Sequence, residues 1–257
     1  MVLTLDTSGI IHVCEDDSKY SRILSIINSG DFLVSGTVME ELSSNATKEG
    51  HALKVKNRII ELLKLINVSH PDKIVSLSML DNRSRQILAE MSRLVPKRYA
   101  VAVAVQPDNL KSIIGYFNKL GLGNITNIAD AARTFMGNNT GTSLINSCYR
   151  MFVKRCKKIF NIDIEDNLLH VRYVSAVKSV FHRVIEHILQ CMKSRISDIG
   201  IISSYITQQF RNDVSSDLAI VSSYASVGLI DIENLLTDDS DVYVLSYIFM
   251  AWKRVVI

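Results

Sequence analysis

Apolar positions along the chain follow two rhythms. Short runs of strand length, rich in β-branched and other apolar residues, occur at Met1–Leu5, Phe32–Val34, Ile74–Met79 and Ile230–Leu236. Between them apolar residues recur every three or four positions, the period of a helix with one buried face. Residues 15–30 place Ile23, Leu24, Ile26 and Ile27 in such a pattern, with Ser18 near the start and Ser29-Gly30 as a stop. A second helix runs through Val55, Ile59, Leu62, Leu63 and Ile66, and Asp81 is placed to cap a third through Leu88 and Met91. Near the end, Ser215 or Ser216 as a cap puts Asp217 in the first turn of a helix. Leu218, Ile220, Val221, Tyr224 and Ala225 form its apolar side and Gly228 ends it. Strands alternating with helices predict an α/β domain built on a parallel sheet flanked by helices.

From about residue 95 to 205 the strand rhythm disappears. Helices are predicted over Asn109–Leu120, Ile125–Met136, Thr142–Phe160 and Ile164–Met192, with a shorter one reaching Gln209; Tyr99–Val105 also reads as a strand. Leu169, Tyr173, Val177, Val180, Phe181, Val184, Ile188 and Met192 keep a sustained helical period. The expectation is a mostly α-helical inserted domain, 95–205, interrupting an α/β domain of 1–94 and 206–257.

Acidic residues crowd the ends of the predicted strands. Asp6 follows the first strand at once, ahead of Thr7 and Ser8. The second leads through Ser35 and Gly36 into a helix, Thr37–Ser44, carrying Glu40 and Glu41. Val38 and Leu42, four apart, mark its buried face. Glu41 borders that face and is the better site candidate; Glu40 points to solvent. The last strand ends in Thr237, Asp238, Asp239 and Asp241. In open α/β sheets function gathers outside the carboxyl ends of strands, so acids from these ends can converge.

Four segments in this order, LTLDTSGII, TVMEEL, SSDLAIVSSYA and LLTDDSD, resemble the PIN-domain nucleases, a family that includes toxin nucleases and RNA-processing endonucleases. The resemblance covers 1–94 and 206–257 and implies a PIN-like α/β fold. It assigns Asp6, Glu41, Asp217 and Asp239 as the catalytic, metal-holding acids, Asp241 as an accessory ligand and Thr237 as a structural hydroxyl. Asp213 and Asp238 fit the pattern less well. Mg²⁺ and Mn²⁺ are hard cations that take oxygen ligands. A carboxylate cluster relieved of its own repulsion by such ions suits in-line displacement at phosphorus. The activity implied is metal-dependent phosphodiester hydrolysis by a ribonuclease, with Asp6 and Asp239 foremost as ligands. The segment 95–205 has no counterpart in that pattern.

Charge extends this picture. Residues 95–205 carry 15 Lys and Arg against 7 Asp and Glu, a net +8; the remainder, 14 against 19, is net −5. Arg150, Lys154, Lys157 and Lys158 recur at helical spacing, with Met151, Phe152 and Ile159 largely opposite, and such a stripe suits a phosphate backbone or a solvated face. Nucleic acid, RNA ahead of DNA, is therefore the expected partner; a protein partner such as an antitoxin, or a homo-oligomer, stays open. The alternative to an enzyme is a catalytically inactive PIN-like module that binds RNA or protein through the insertion.

Composition excludes other classes. With 47% hydrophobic and 21% charged residues and only 3 Pro, disorder is not expected. The cysteines, Cys14, Cys148, Cys156 and Cys191, form no C-x-x-C pair and read as reduced thiols of a cytoplasmic protein. No Gly-Lys-Ser/Thr follows the glycines, which argues against a phosphate-binding loop, and no apolar run reaches the ~20 residues of a membrane span. His12, His70, His170 and His182 stand apart from carboxylates in sequence and read as structural or surface groups.

Overall fold

The computed structural model describes residues 2–76, 81–164, 166–210 and 213–256, with the backbone alone at 213–215 and 256. The chain divides into two compact units, Met1–Ala89 with Ser215–Ile257 and Glu90–Val214. The joins at 89/90 and 214/215 lie five and nine residues outside the expected insertion boundaries at 94/95 and 205/206.

The first unit is α/β. Four short parallel strands, β1 (Leu3–Leu5), β2 (Phe32–Ser35), β3 (Ile74–Val75) and β4 (Leu235–Leu236), lie in the order β3-β2-β1-β4. Helices α1 (Thr7–Glu15) and α2 (Asp17–Ser29) link β1 to β2, and α3 (Gly36–Thr47) and α4 (Leu53–Ser69) link β2 to β3. The break between α1 and α2 falls at Asp16, whose carboxylate accepts from the N–H groups of Ser18 and Lys19 at 2.9 and 3.0 Å. A predicted single helix over 15–30 is thus shortened by an N-cap one residue inside it. Gly30, at φ 74°, closes α2 in the left-handed conformation. Burial of Leu5, Ile10, Ile27, Val34, Leu42, Ile59, Leu62 and Ile66 at 0% exposure forms the core between sheet and helices.

Two expected strands are shorter than their apolar runs. Within Ile230–Leu236 only the last two residues pair, because Asp231 caps a 3-10 turn at Ile232–Asn234, accepting from the Glu233 N–H at 3.1 Å. Of Ile74–Met79, the first two residues form β3; Leu77 to Met79 lie outside the described residues. Helix α5 (Asn82–Met91) follows, and Asp81 accepts from the Ser84 N–H at 2.7 Å. Gly9 sits where α1 passes β4: a Cβ there would lie 2.4 Å from the Leu236 carbonyl oxygen, so only glycine permits the approach.

The second unit is helical: α6 (Pro96–Ala104), α7 (Pro107–Leu120), α8 (Ile128–Gly137), α9 (Asn139–Phe160), α10 (Asn167–Lys193) and α11 (Ile199–Gln209). Tyr99–Val105 is therefore helix, not strand; Pro96 occupies its first turn, where the missing N–H is harmless. Helix α10 buries all eight residues of its predicted stripe and packs on α6, α8 and α9. It begins at Asn167, later than the apolar pattern from Ile164, because Asp166 caps it at 2.7 and 3.0 Å. Among the described residues no helix is long and apolar enough to cross a membrane. The remaining helices, α12 (Asp213–Ser226) and α13 (Ser240–Val256), flank β4 in sequence.

Candidate metal centre

The chain leaves β1 towards β2 on one side, whereas β4 pairs on the other side of β1. The carboxyl ends of β1 and β4 are therefore the switch point of the sheet, the place where ligands bind in open α/β sheets generally. Asp6 directly follows β1, and its N–H extends the pairing to the Leu236 carbonyl at 3.0 Å. Its side chain is 2% exposed. Ser8 Oγ and Thr237 Oγ1 each donate to its Oδ2 at 2.6 Å. Burial pushes the Asp6 carboxyl above its ordinary value and the nearby Asp239 charge adds to this, while the hydroxyl donors act in the opposite direction.

Beyond Thr237 the chain turns sharply into α13. Asp239 is the N-cap, its Oδ1 accepting from the Asp241 N–H at 2.7 Å and its carbonyl from the Tyr243 N–H at 3.1 Å. Ser8 Oγ accepts from the backbone N–H groups of Asp238 and Asp239 at 2.9 and 2.8 Å. Thr237 Oγ1 accepts from the Asp239 N–H at 2.9 Å. In this setting Asp239 meets Asp241, also on the α13 N-terminus, and Asp217, from α12. One ligand atom from each lies within 4.8 Å of the others. Asp217 and Asp241 are buried at 7% and 2% exposure, and Asp239 is half-buried. At such separations each pair of negative charges repels by on the order of 3 kcal/mol in an effective dielectric near 20. A bound cation would remove that cost.

Glu41 completes the acidic end of the sheet from α3. Thr7 Oγ1 donates to its Oε2 at 2.5 Å, and Ser216 Oγ hydrogen-bonds its Oε1. These hydroxyls belong to the neighbours of Asp6 and Asp217, so Glu41 stands beside both. Glu40, one position earlier, is exposed, as the helical face of Val38 and Leu42 requires.

No family model, curated protein or solved structure matches this chain.

Asp6, Glu41, Asp217, Asp239 and Asp241 come together at one end of the sheet. Asp6 and Asp239 were the foremost ligand candidates. Asp239 lies with Asp217 and Asp241, and beside that trio Asp6, near enough for the Asp239 charge to act on it, and Glu41 accept from hydroxyls. Asp241, expected as accessory, is a full member. Asp217 lies a turn inside α12, which begins at Asp213 and not at a Ser215 or Ser216 cap. Thr237 Oγ1 lies between Asp6, to which it donates, and the Asp239 N–H, from which it accepts. The Asp213 side chain lies outside the described residues. Asp238 is turned away, its Oδ2 3.3 Å from His12 Nδ1, so His12 is at the rim and contacts no member of the trio among the described interactions.

Two groups escaped the sequence reading. Ser8, in the sequence only a neighbour of Asp6, ties Asp6 to the turn carrying Asp239; a hydroxyl two residues after a strand-end Asp is the available signal. Tyr224 had counted only as an apolar position. Its hydroxyl accepts from the Ser35 N–H at 3.1 Å and donates to the Leu5 carbonyl. The β1–β2 register, Leu5 opposite Val34, would make that pair of backbone groups the next rung of the ladder. Tyr224 thus wedges the strand ends apart just below Asp6. No local pattern signals such a contact.

The basic residues belong to the second unit. Arg150, Lys154, Lys157 and Lys158 are exposed on α9, whose buried row is Ile145, Cys148, Phe152, Cys156 and Phe160. Met151 and Ile159 are 41% and 38% exposed, so only Phe152 of the three expected opposite the cations faces the core. Lys157 pairs with Asp163 at 2.6 Å.

Proposed function

We propose that the first unit is a PIN-like domain acting as a metal-dependent nuclease, most at home on RNA. The observation that carries this reading is the convergence of Asp217, Asp239 and Asp241 within 4.8 Å at the carboxyl end of a parallel sheet. The donor set suits the group: three carboxylates, two of them buried, are hard oxygen ligands of the kind that hold Mg²⁺ or Mn²⁺. Such an ion supplies Lewis acidity and an activated water for attack at phosphorus. The chain's own part is to hold the ligands. Ser8 and Thr237 fix the turn that presents Asp239, and the α13 N-terminus favours the charges of Asp239 and Asp241. Glu41, bridged to Thr7 and Ser216, keeps the α3 side of the cleft acidic.

A second reading has its own support. Both oxygens of Glu41 and Oδ2 of Asp6 already accept from hydroxyls, and Oδ1 of Asp239 caps α13. A domain whose acids are satisfied internally fits a catalytically inactive PIN-like module. Incubation of purified protein with labelled single-stranded RNA in Mg²⁺, Mn²⁺ or EDTA separates the two, beside an Asp217→Asn, Asp239→Asn variant. Metal-dependent products lost in the variant are expected. Absence of products across RNA and DNA substrates, with folding intact, would leave the inactive module as the better account.

A further inference from the structure

The exposed side of α9 holds more than a set of cations. Arg150, Lys154 and Lys158 are exposed and form no ion pair among the described residues. Successive members stand four residues apart, a rise of about 6 Å with a drift of about 40° around the axis, so they make one shallowly winding row. That rise is of the same order as the distance between neighbouring phosphates of an extended strand. Toward the N-terminus the same step passes exposed Asn146 and Thr142, neutral groups that donate and accept hydrogen bonds, about 40° and 80° around the axis from Arg150 and so about 120° and 160° from Lys158.

Beside the row lies an aromatic pair. Tyr149 precedes Arg150, and its ring is 4.2 Å from that of His170 at the start of α10. Tyr149 is half-buried and His170 exposed, so the pair is reachable from solvent one residue from the first cation in the chain. Cations tracking a backbone next to rings on which bases stack are how single strands are bound without sequence preference.

We propose that this row winding along the exposed side of α9, with His170, is a docking surface for a single-stranded RNA that follows the winding. Arg150, Lys154 and Lys158 contact successive phosphates, the Tyr149–His170 rings stack a base, and Asn146 and Thr142 meet 2′-hydroxyls. A single strand is favoured over a duplex because one row meets one backbone, and because duplex bases are already stacked on each other. The surface belongs wholly to the second unit, and its binding does not depend on the nuclease reading.

The test uses the full-length protein and a fluorescein-labelled oligouridylate in EDTA, where metal-dependent cleavage cannot occur; failure of the nuclease reading leaves this measurement unchanged. Binding is followed by anisotropy across a salt series. Single-strand binding loses roughly 0.7 in log–log salt slope per phosphate contact, so an Arg150→Gln, Lys154→Gln, Lys158→Gln variant should flatten the slope by about 2 and bind at least about tenfold more weakly at low salt. His170→Ala should weaken binding and keep the slope. The exposed positions leave the fold intact, which circular dichroism checks. A parent slope and affinity in the triple variant would overturn the proposal, as would no binding by the parent protein. Equal or tighter binding of duplex RNA, of the matching DNA strand or of an acidic polypeptide would likewise reject single-stranded RNA as the occupant.

Discussion

Ser8 and Asp239, 231 positions apart, are joined by a 2.8 Å hydrogen bond from the Asp239 N–H to the Ser8 hydroxyl, which in turn donates to Asp6. One side chain on the first helix thus holds both the buried acid after β1 and the turn that presents Asp239 and Asp241, two acids of the candidate metal site. Replacing it, Ser8→Ala, leaves the N–H groups of Asp238 and Asp239 without that acceptor and Asp6 with one donor fewer. The expected cost is about 1–3 kcal/mol in urea unfolding. Mn²⁺ affinity, read by calorimetry, should fall as the turn loosens. Unchanged stability and unchanged Mn²⁺ affinity would show that the hydroxyl carries neither role.

Tyr224→Phe removes a hydroxyl that satisfies two buried backbone groups at once. The ring still fills its place, so the loss isolates the polar contacts. Unfolding free energy should drop by roughly 1–3 kcal/mol unless Leu5 and Ser35 close the rung directly. Amide exchange at Ser35 distinguishes these cases, speeding in the first and staying slow in the second.

Mutual repulsion in the acidic trio gives Asp241→Asn a two-sided signature. In EDTA the variant should melt at a higher temperature than the parent, since a like charge has gone from a site whose ligand atoms lie within 4.8 Å. In Mg²⁺ or Mn²⁺ the order should reverse, because ligand binding stabilises the folded state in proportion to affinity and occupancy. Thermal melts of both proteins in each condition provide the comparison. A variant stabilised by metal as much as the parent would remove Asp241 from the ligand set.

Asp6 makes stability depend on pH in a fixed direction. Its folded pKa is raised above 3.8, chiefly by burial. Between the unfolded and folded values the native state therefore binds more protons, and stability falls as pH rises through that window and stays lower above it. Asp6→Asn, which keeps an acceptor for the hydroxyls, should remove this decline. Urea titrations in EDTA from pH 4 upward should show parent and variant stabilities diverging with pH, the parent losing ground. Parallel curves would mean that the carboxyl is not held against its charge.

Part of this arrangement is legible in the chain itself. Strand-length runs ending in Asp6 and in Thr237-Asp238-Asp239 announce acids at the edge of a sheet. The face of Val38 and Leu42 separates Glu41 from Glu40, and the eight-residue stripe of α10 marks its buried side correctly. These features follow from local geometry, because strand direction and helical period dictate where neighbouring side chains point. Tertiary structure decided the rest. Whether an acid is bound by hydroxyls, as Asp6 is by Thr237, 231 positions away, or faces two others, as Asp239 faces Asp217 and Asp241 on a turn held by Ser8, depends on how distant elements are brought together. The start of α12 and the wedge of Tyr224 between β1 and β2 likewise depend on what packs against them. A hydroxyl or carboxylate has the same local sequence signature whether it caps a helix, binds a strand end or holds a metal; only the group opposite it distinguishes the three.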